Sequence, residues 1–289
     1  MNMKILIIII FLIIILATTI PYIWSYFREH QIPTYTPTVQ TETRILRNLT
    51  YAKHVEIVVV VDNYQFRNDL MTAWGISIYL VVDGFKILFD TGPSEQILEY
   101  NAAKLGIDLT DIDAVVISHV HGDHIGGLSF ATALSNKNVT VYVPLEVYPT
   151  ARSLLPNMNI AIVNETMKIA PHAYVVGPLY GPPQEMFLAI STRKGLIIVT
   201  GCSHPGIVNM VKKAMEDLNQ SVYMVIGGFH LAGAYSGRVR SIADELVGLG
   251  VKKIYPLHCS GDCIRNYLKN TYPDVYGDGG VGLKVVIKS

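Results

Sequence analysis

The sequence predicts an α/β domain in which β-sheets are covered by helices in layers. Three observations carry that expectation. Hairpin signals come early, strand–helix alternation comes late, and several apolar strands end in loops that carry histidine.

The elements follow in order. Residues 55–61 form a β-branched run and predict a strand. Residues 75–82 and 85–89 flank Asp83-Gly84, a hairpin turn signal. Residues 94–105 read as a helix stopped by Gly106. Residues 114–117 form a short buried strand that delivers the chain to His119, and Gly126-Gly127 lead into an apolar helix starting near Leu128. Further strands are expected at 139–143 and 161–163. A second hairpin pairs 187–190 with 196–200 around Arg193-Lys194-Gly195. Helices at 207–218, 238–249 and 264–270 then alternate with strands at 222–226, 253–255 and 281–287.

Ahead of this domain, residues 5–20 are almost purely apolar, and the apolar character continues to Phe27. That run of about 23 residues can cross a hydrocarbon core of about 30 Å at about 1.5 Å per residue. Tyr22, Trp24 and Tyr26 sit at its distal end, where interfacial aromatics collect. Residues 1–27 are therefore expected to be an uncleaved membrane anchor, with a cleaved signal as the alternative. The weak charge bias around Lys4 places the C-terminal domain on the outer side. Residues 28–50, with Pro33 and Pro37 among threonines, read as a linker, and 51–289 as the catalytic domain.

The chain has 23 basic and 23 acidic residues, a balance that argues against a nucleic-acid footprint. A small-molecule substrate is expected, with membrane contact through the N-terminal segment. Three cysteines make no disulfide framework, although Cys259 and Cys263 could oxidise together outside the cytoplasm.

Of nine histidines, His119, His121, His204, His230 and His258 directly follow apolar strands. His124 completes the cluster His119-Val120-His121-Gly122-Asp123-His124. Imidazole suits zinc, and carboxylate is a tolerable companion. In an extended loop, His119 and His121 point the same way, and Gly122 permits the turn that presents Asp123 and His124. One metal could take the first two histidines and a second the Asp123/His124 pair.

This His-x-His-x-Asp-His cluster after an apolar strand resembles the signature of the metallo-β-lactamase fold superfamily. Leu88-Phe89-Asp90-Thr91-Gly92, the strand ending in Gly201-Cys202, and Pro256-Leu257-His258 resemble its other landmarks in order. The resemblance implies a four-layer αββα sandwich and a metal-dependent hydrolase with two zinc ions, with iron or manganese as alternatives. It implies Asp90 as a support for the metal loop, Cys202 at the place of an aspartate or cysteine ligand, and His258 as the last ligand. Val61-Asp62-Asn63, Trp74-Gly75-Ile76-Ser77, Gly201-Cys202-Ser203-His204, Gly227-Gly228-Phe229-His230 and Pro256-Leu257-His258-Cys259 are similar to a narrower subgroup. That subgroup is named for 7,8-dihydropterin-6-methyl-4-(ribofuranosyl)aminobenzene 5'-phosphate synthase.

The sequence departs from the superfamily in lacking the histidine usual ahead of the Gly-Cys strand end. His172 is out of register, so His204 is expected to substitute. The expected metal ligands are His119, His121 and His204 for one ion and Asp123, His124 and His258 for the other, with Cys202 near both. Asp123 and His230 are the expected catalytic residues. The leading expectation is attack by activated water on an ester, lactone or phosphoester. The alternatives are a pterin-type condensation and an iron-dependent redox protein.

Overall fold

The computed structural model describes residues 51–135 and 137–288. It contains two mixed sheets. The first has the order β13-β1-β2-β3-β4-β5-β6 and the second β12-β11-β10-β9-β8-β7. In the first sheet, β1 (His54–Val61) pairs antiparallel with β13 (Lys284–Lys288) and β2 (Ser77–Val82), and β2 pairs antiparallel with β3 (Phe85–Phe89). The chain then runs parallel through β4 (Ala114–Val116), β5 (Thr140–Pro144) and β6 (Asn159–Val163).

The second sheet repeats the scheme. Strands β7 (Met167–Ala170), β8 (Ala173–Leu179), β9 (Glu185–Thr192) and β10 (Gly195–Thr200) are antiparallel, and β10, β11 (Val222–Gly228) and β12 (Lys253–Leu257) are parallel.

The period of two along β1 explains the layering. Val55, Ile57 and Val59 face a core between the sheets, where they meet Leu188, Ile190, Ile197 and Val199. Val58 and Val60 face outward, under α1 (Glu95–Leu105), α3 (Leu128–Ala133) and α4 (Tyr148–Leu154). The outer face of the second sheet is covered by α5 (Ile207–Leu218), α6 (Ser236–Gly248) and α7 (Asp262–Thr271). The result is the four-layer αββα arrangement expected from the sequence.

Most predicted elements are present with ends shifted by a few residues. Gly106 closes α1 in the left-handed region, as the stop signal predicted, and Ser94, which the sequence placed inside the helix, caps it through its side chain. Three of the elements that were not predicted show why. Strand β7 has four residues at a sheet edge, β8 ends in Gly177-Pro178, which reads as a turn, and α4 carries Pro149 in its first turn, which reads as a break.

The membrane placement expected from the sequence needs correction. Among the described residues, no helix is long and apolar enough to cross a membrane. The segment 1–27 on which that expectation rested, and the linker 28–50, lie outside the described residues.

The fold places function at one rim. The loops after β3, β4, β10, β11 and β12 all leave the carboxyl ends of strands in parallel pairings, where ligands of open α/β sheets characteristically bind.

Candidate metal centre

The loop after β4 bends at His119 and Val120 and brings His119 and His121 together, with His121 in extended backbone. Asp123 and His124 sit in a single helical turn, α2 (Gly122–Ile125), where the sequence reading had only a loop. The loop after β10 supplies Cys202 and His204, the loop after β11 supplies His230, and the turn after β12 supplies His258.

Two sets of side chains converge. His119, His121 and His204 form one, and Asp123, His124 and His258 form the other, the ligand atoms of each lying within 4.8 Å of one another. Cys202 groups with His119 and His124, and also with His230 and Cys259. Its Sγ lies 3.2 Å from His124 Nε2. All seven residues expected as ligands therefore meet at one place.

Three of the rings are oriented from behind. Asp90, fully buried, accepts from the Ser118 N–H through Oδ1 and from the Ser118 hydroxyl through Oδ2, both at 2.7 Å. The same Oδ2 takes His124 Nδ1 at 2.7 Å, which turns His124 Nε2 toward the set. The Ser118 hydroxyl lies 2.8 Å from His119 Nδ1. His258 Nδ1 lies 3.1 Å from Asn63 Oδ1, and Asp62 Oδ1 accepts the His258 N–H at 2.9 Å.

The close approach of the two sheets' loops requires glycine at 201. A Cβ there would stand 2.2 Å from Ser118 Oγ and 3.0 Å from Asp90 Oδ2.

The electrostatics differ between the sets. Burial drives His119 far below the usual imidazole value, and the neighbouring imidazoles reinforce it. Burial pulls His204 down to about 4, helped by His230 and His121. For His124 burial acts in the same direction, but Asp90 and Asp123 outweigh it and hold the ring above its usual value. Burial opposes ionisation of Asp123, yet His258 and His124 hold it down at about 2.

His204 Nε2 and His258 Nε2 are buried without hydrogen-bond partners, one in each set. His258 Nε2 lies 3.3 Å from Asp123 Oδ2 but makes no hydrogen bond to it. Buried, unpartnered imidazole nitrogens facing other donors of lone pairs fit a divalent cation in each set.

His230 stands beside the first set, its ring 4.3 Å from that of His204, in the left-handed region at φ 52°. Its N–H donates to Cys259 Sγ at 3.3 Å. Hydrogen bonding of the His230 ring to the Cys259 sulfur, which accepts, is the main cause that raises His230 above its usual value. Cys259 is buried and Cys263 exposed, and both are free thiols. His172 lies at the β7–β8 turn, 3.5 Å from Asp83, and joins neither set.

The sequence reading gave no role to Asp62, Asn63, Trp74 or Glu185. Trp74 is 56% exposed and packs on His258 with centroids 4.8 Å apart. Glu185 accepts three backbone N–H groups of the segment 202–204. A glutamate opening the apolar strand Met186-Phe187-Leu188 was the available signal, since a buried charge needs partners.

Comparison with known proteins agrees with this geometry. Residues 71–206 match the family described as the metallo-beta-lactamase superfamily. The chain belongs to the metallo-β-lactamase superfamily. Within it the chain falls in the subgroup of the Methanocaldococcus jannaschii protein 7,8-dihydropterin-6-methyl-4-(beta-D-ribofuranosyl)-aminobenzene-5'-phosphate synthase. The two are 30% identical, over 80% of this chain and 96% of the relative. Among solved structures, Tm1679, described as a metal-dependent hydrolase of the beta-lactamase superfamily, matches with a TM-score of 0.70 and 28% identity. That match covers 81% of this chain and 100% of the other. A diphosphatase from the PhnP family shares the fold, with a TM-score of 0.54 and 15% identity over 80% of this chain and 97% of that one.

Proposed function

We propose that this chain is a dinuclear metallohydrolase, with zinc as the favoured metal, acting on an ester, lactone or phosphoester of a small molecule. The observation that carries this reading is the pair of facing ligand sets, each with one buried imidazole nitrogen that has no partner. His119, His121 and His204 would hold one ion and Asp123, His124 and His258 the other, with Cys202 between them. Zinc in such a setting supplies Lewis acidity and makes water nucleophilic near neutral pH.

The chain's own residues supply the rest. Asp123, ionised and 3.3 Å from His258 Nε2, accepts a hydrogen bond from the attacking water and fixes its direction. Asp90, Ser118 and Asn63 keep three ligand rings from rotating. His230, raised above its usual value and beside His204, donates a ring proton to the leaving oxygen. Trp74 forms an apolar wall at the mouth next to His258.

The zinc-loaded protein tested on p-nitrophenyl phosphoesters, lactones and β-lactams should turn over at least one ester class. Bound zinc with no turnover of any of them contradicts the hydrolase reading.

A second reading, a synthase-type condensation, is supported by the likeness to 96% of the length of the methanogen relative. It predicts product from a dihydropterin donor and 4-(ribofuranosyl)aminobenzene 5'-phosphate, with zinc present and simple esters untouched.

A further inference from the structure

We infer that Glu185 is a positioning residue that sets the place of His204 and so the metal affinity of the His119/His121/His204 set. This rests on the dinuclear reading above.

Glu185 opens β9 and is fully buried. Its Oε1 accepts the N–H groups of Cys202 and Ser203, each at 2.8 Å, and its Oε2 accepts the His204 N–H at 2.7 Å. One carboxylate thus takes three consecutive backbone donors. Burial pushes the Glu185 carboxyl up to about 7, and these three backbone bonds act against that rise. Ser203, between the two expected ligands, adopts φ 63°, a left-handed conformation that a non-glycine residue keeps only when its surroundings impose it. The Ser203 hydroxyl, donating to the Gly228 carbonyl at 2.6 Å, pins the same turn from the other side.

The clamp reaches across the sheets. The next residue on β9, Met186, donates its N–H to the Ser118 carbonyl at 3.0 Å, and Ser118 precedes His119. The start of β9 therefore registers the loop carrying His204 against the loop carrying His119 and His121. The His204 ring stands 4.8 Å from His119 and 4.9 Å from His121 by centroid. The His204 N–H and the two before it all bond to Glu185, so the loop that carries His204 takes its support there. The Asp123/His124/His258 set receives its support from Asp90 and Asn63.

The test is a double-mutant cycle on the full chain, with zinc affinity read by competition against a chromogenic chelator. Glu185→Gln conserves volume and keeps an oxygen for Cys202 and Ser203, but it turns an amide N–H toward the His204 N–H. One zinc equivalent should weaken by about 10–100-fold, the range for a lost outer partner, while the other is unchanged. In the His204→Ala background the same substitution should have no further effect. The inference is overturned if both equivalents weaken alike, if neither does, or if Glu185→Gln acts equally with and without His204. Should Glu185→Gln not fold, Glu185→Asp, which keeps the charge but withdraws it by one methylene, goes through the same cycle with the same outcomes. A wild-type chain that takes up fewer than two zinc ions overturns the dinuclear reading and this inference with it.

Discussion

The two ligand sets are built by different means. The Asp123/His124/His258 set contains a carboxylate, and its imidazoles are held from behind by Asp90 and Asn63. The His119/His121/His204 set is neutral. Its imidazoles lean on one another, on the Ser118 hydroxyl and, through the backbone, on Glu185. One set is fixed by charge, the other by loop geometry. Negative charge favours a divalent cation before any contact is optimised, so the carboxylate set should load first and release last. The neutral set should depend more on the register of the loops that carry it.

The largest effect expected from breaking this contrast is on Asp90. Asp90→Asn keeps one acceptor for the Ser118 N–H but sets an amide N–H against His124 Nδ1. Zinc affinity of the carboxylate set should fall by about 10–100-fold, and that of the neutral set much less. Chelator competition reads both, and equal loss from both sets would remove the distinction.

Gly201→Ala should act on both loops at once. Its Cβ would stand 2.2 Å from Ser118 Oγ, and overpacking of this kind costs about 1–3 kcal/mol. Thermal unfolding should show the loss, and the neutral set should lose more zinc affinity than the carboxylate set. An unchanged Tm and unchanged zinc binding would show that the loops have room to separate.

Trp74→Ala should have the smallest effect on the fold, within about 0.5 kcal/mol for an exposed side chain. Its effect should appear in KM for whichever substrate the protein turns over, with zinc binding untouched. A loss of zinc from the carboxylate set would make Trp74 a support for His258 and not a wall of the mouth.

The carboxylate set was the more legible of the two in the sequence. Asp123 and His124 lie in one short segment after an apolar strand, and His258 ends another, so local pattern was enough to find them. The neutral set was half legible. His119 and His121 belong to the same segment, but His204, noticed at a strand end, was joined to them only because an expected histidine was missing upstream. Supports were harder to see than ligands. Asp90 was assigned through resemblance, whereas Glu185 meets its partners only through the pairing of β9 with β10 and the contact of β9 with Ser118. Its signal was a single glutamate before an apolar run, and the run itself read simply as a strand. Similarly, Asp62 and Asn63 touch His258 across 195 or more residues of sequence, a contact that no local pattern reports. The layered fold was legible because the β-branched run of β1, the hairpin turn signals and the glycine-stopped helices are local. The β7–β8 hairpin was not, because its proline and short edge strand imitate a loop.

Stepwise zinc loading of the metal-free chain, followed by calorimetry, tests the central claim most directly. Two equivalents should bind in distinguishable steps, the tighter lost in His258→Ala and the weaker lost in His204→Ala. A single equivalent per chain, or both steps lost together in either variant, would contradict it.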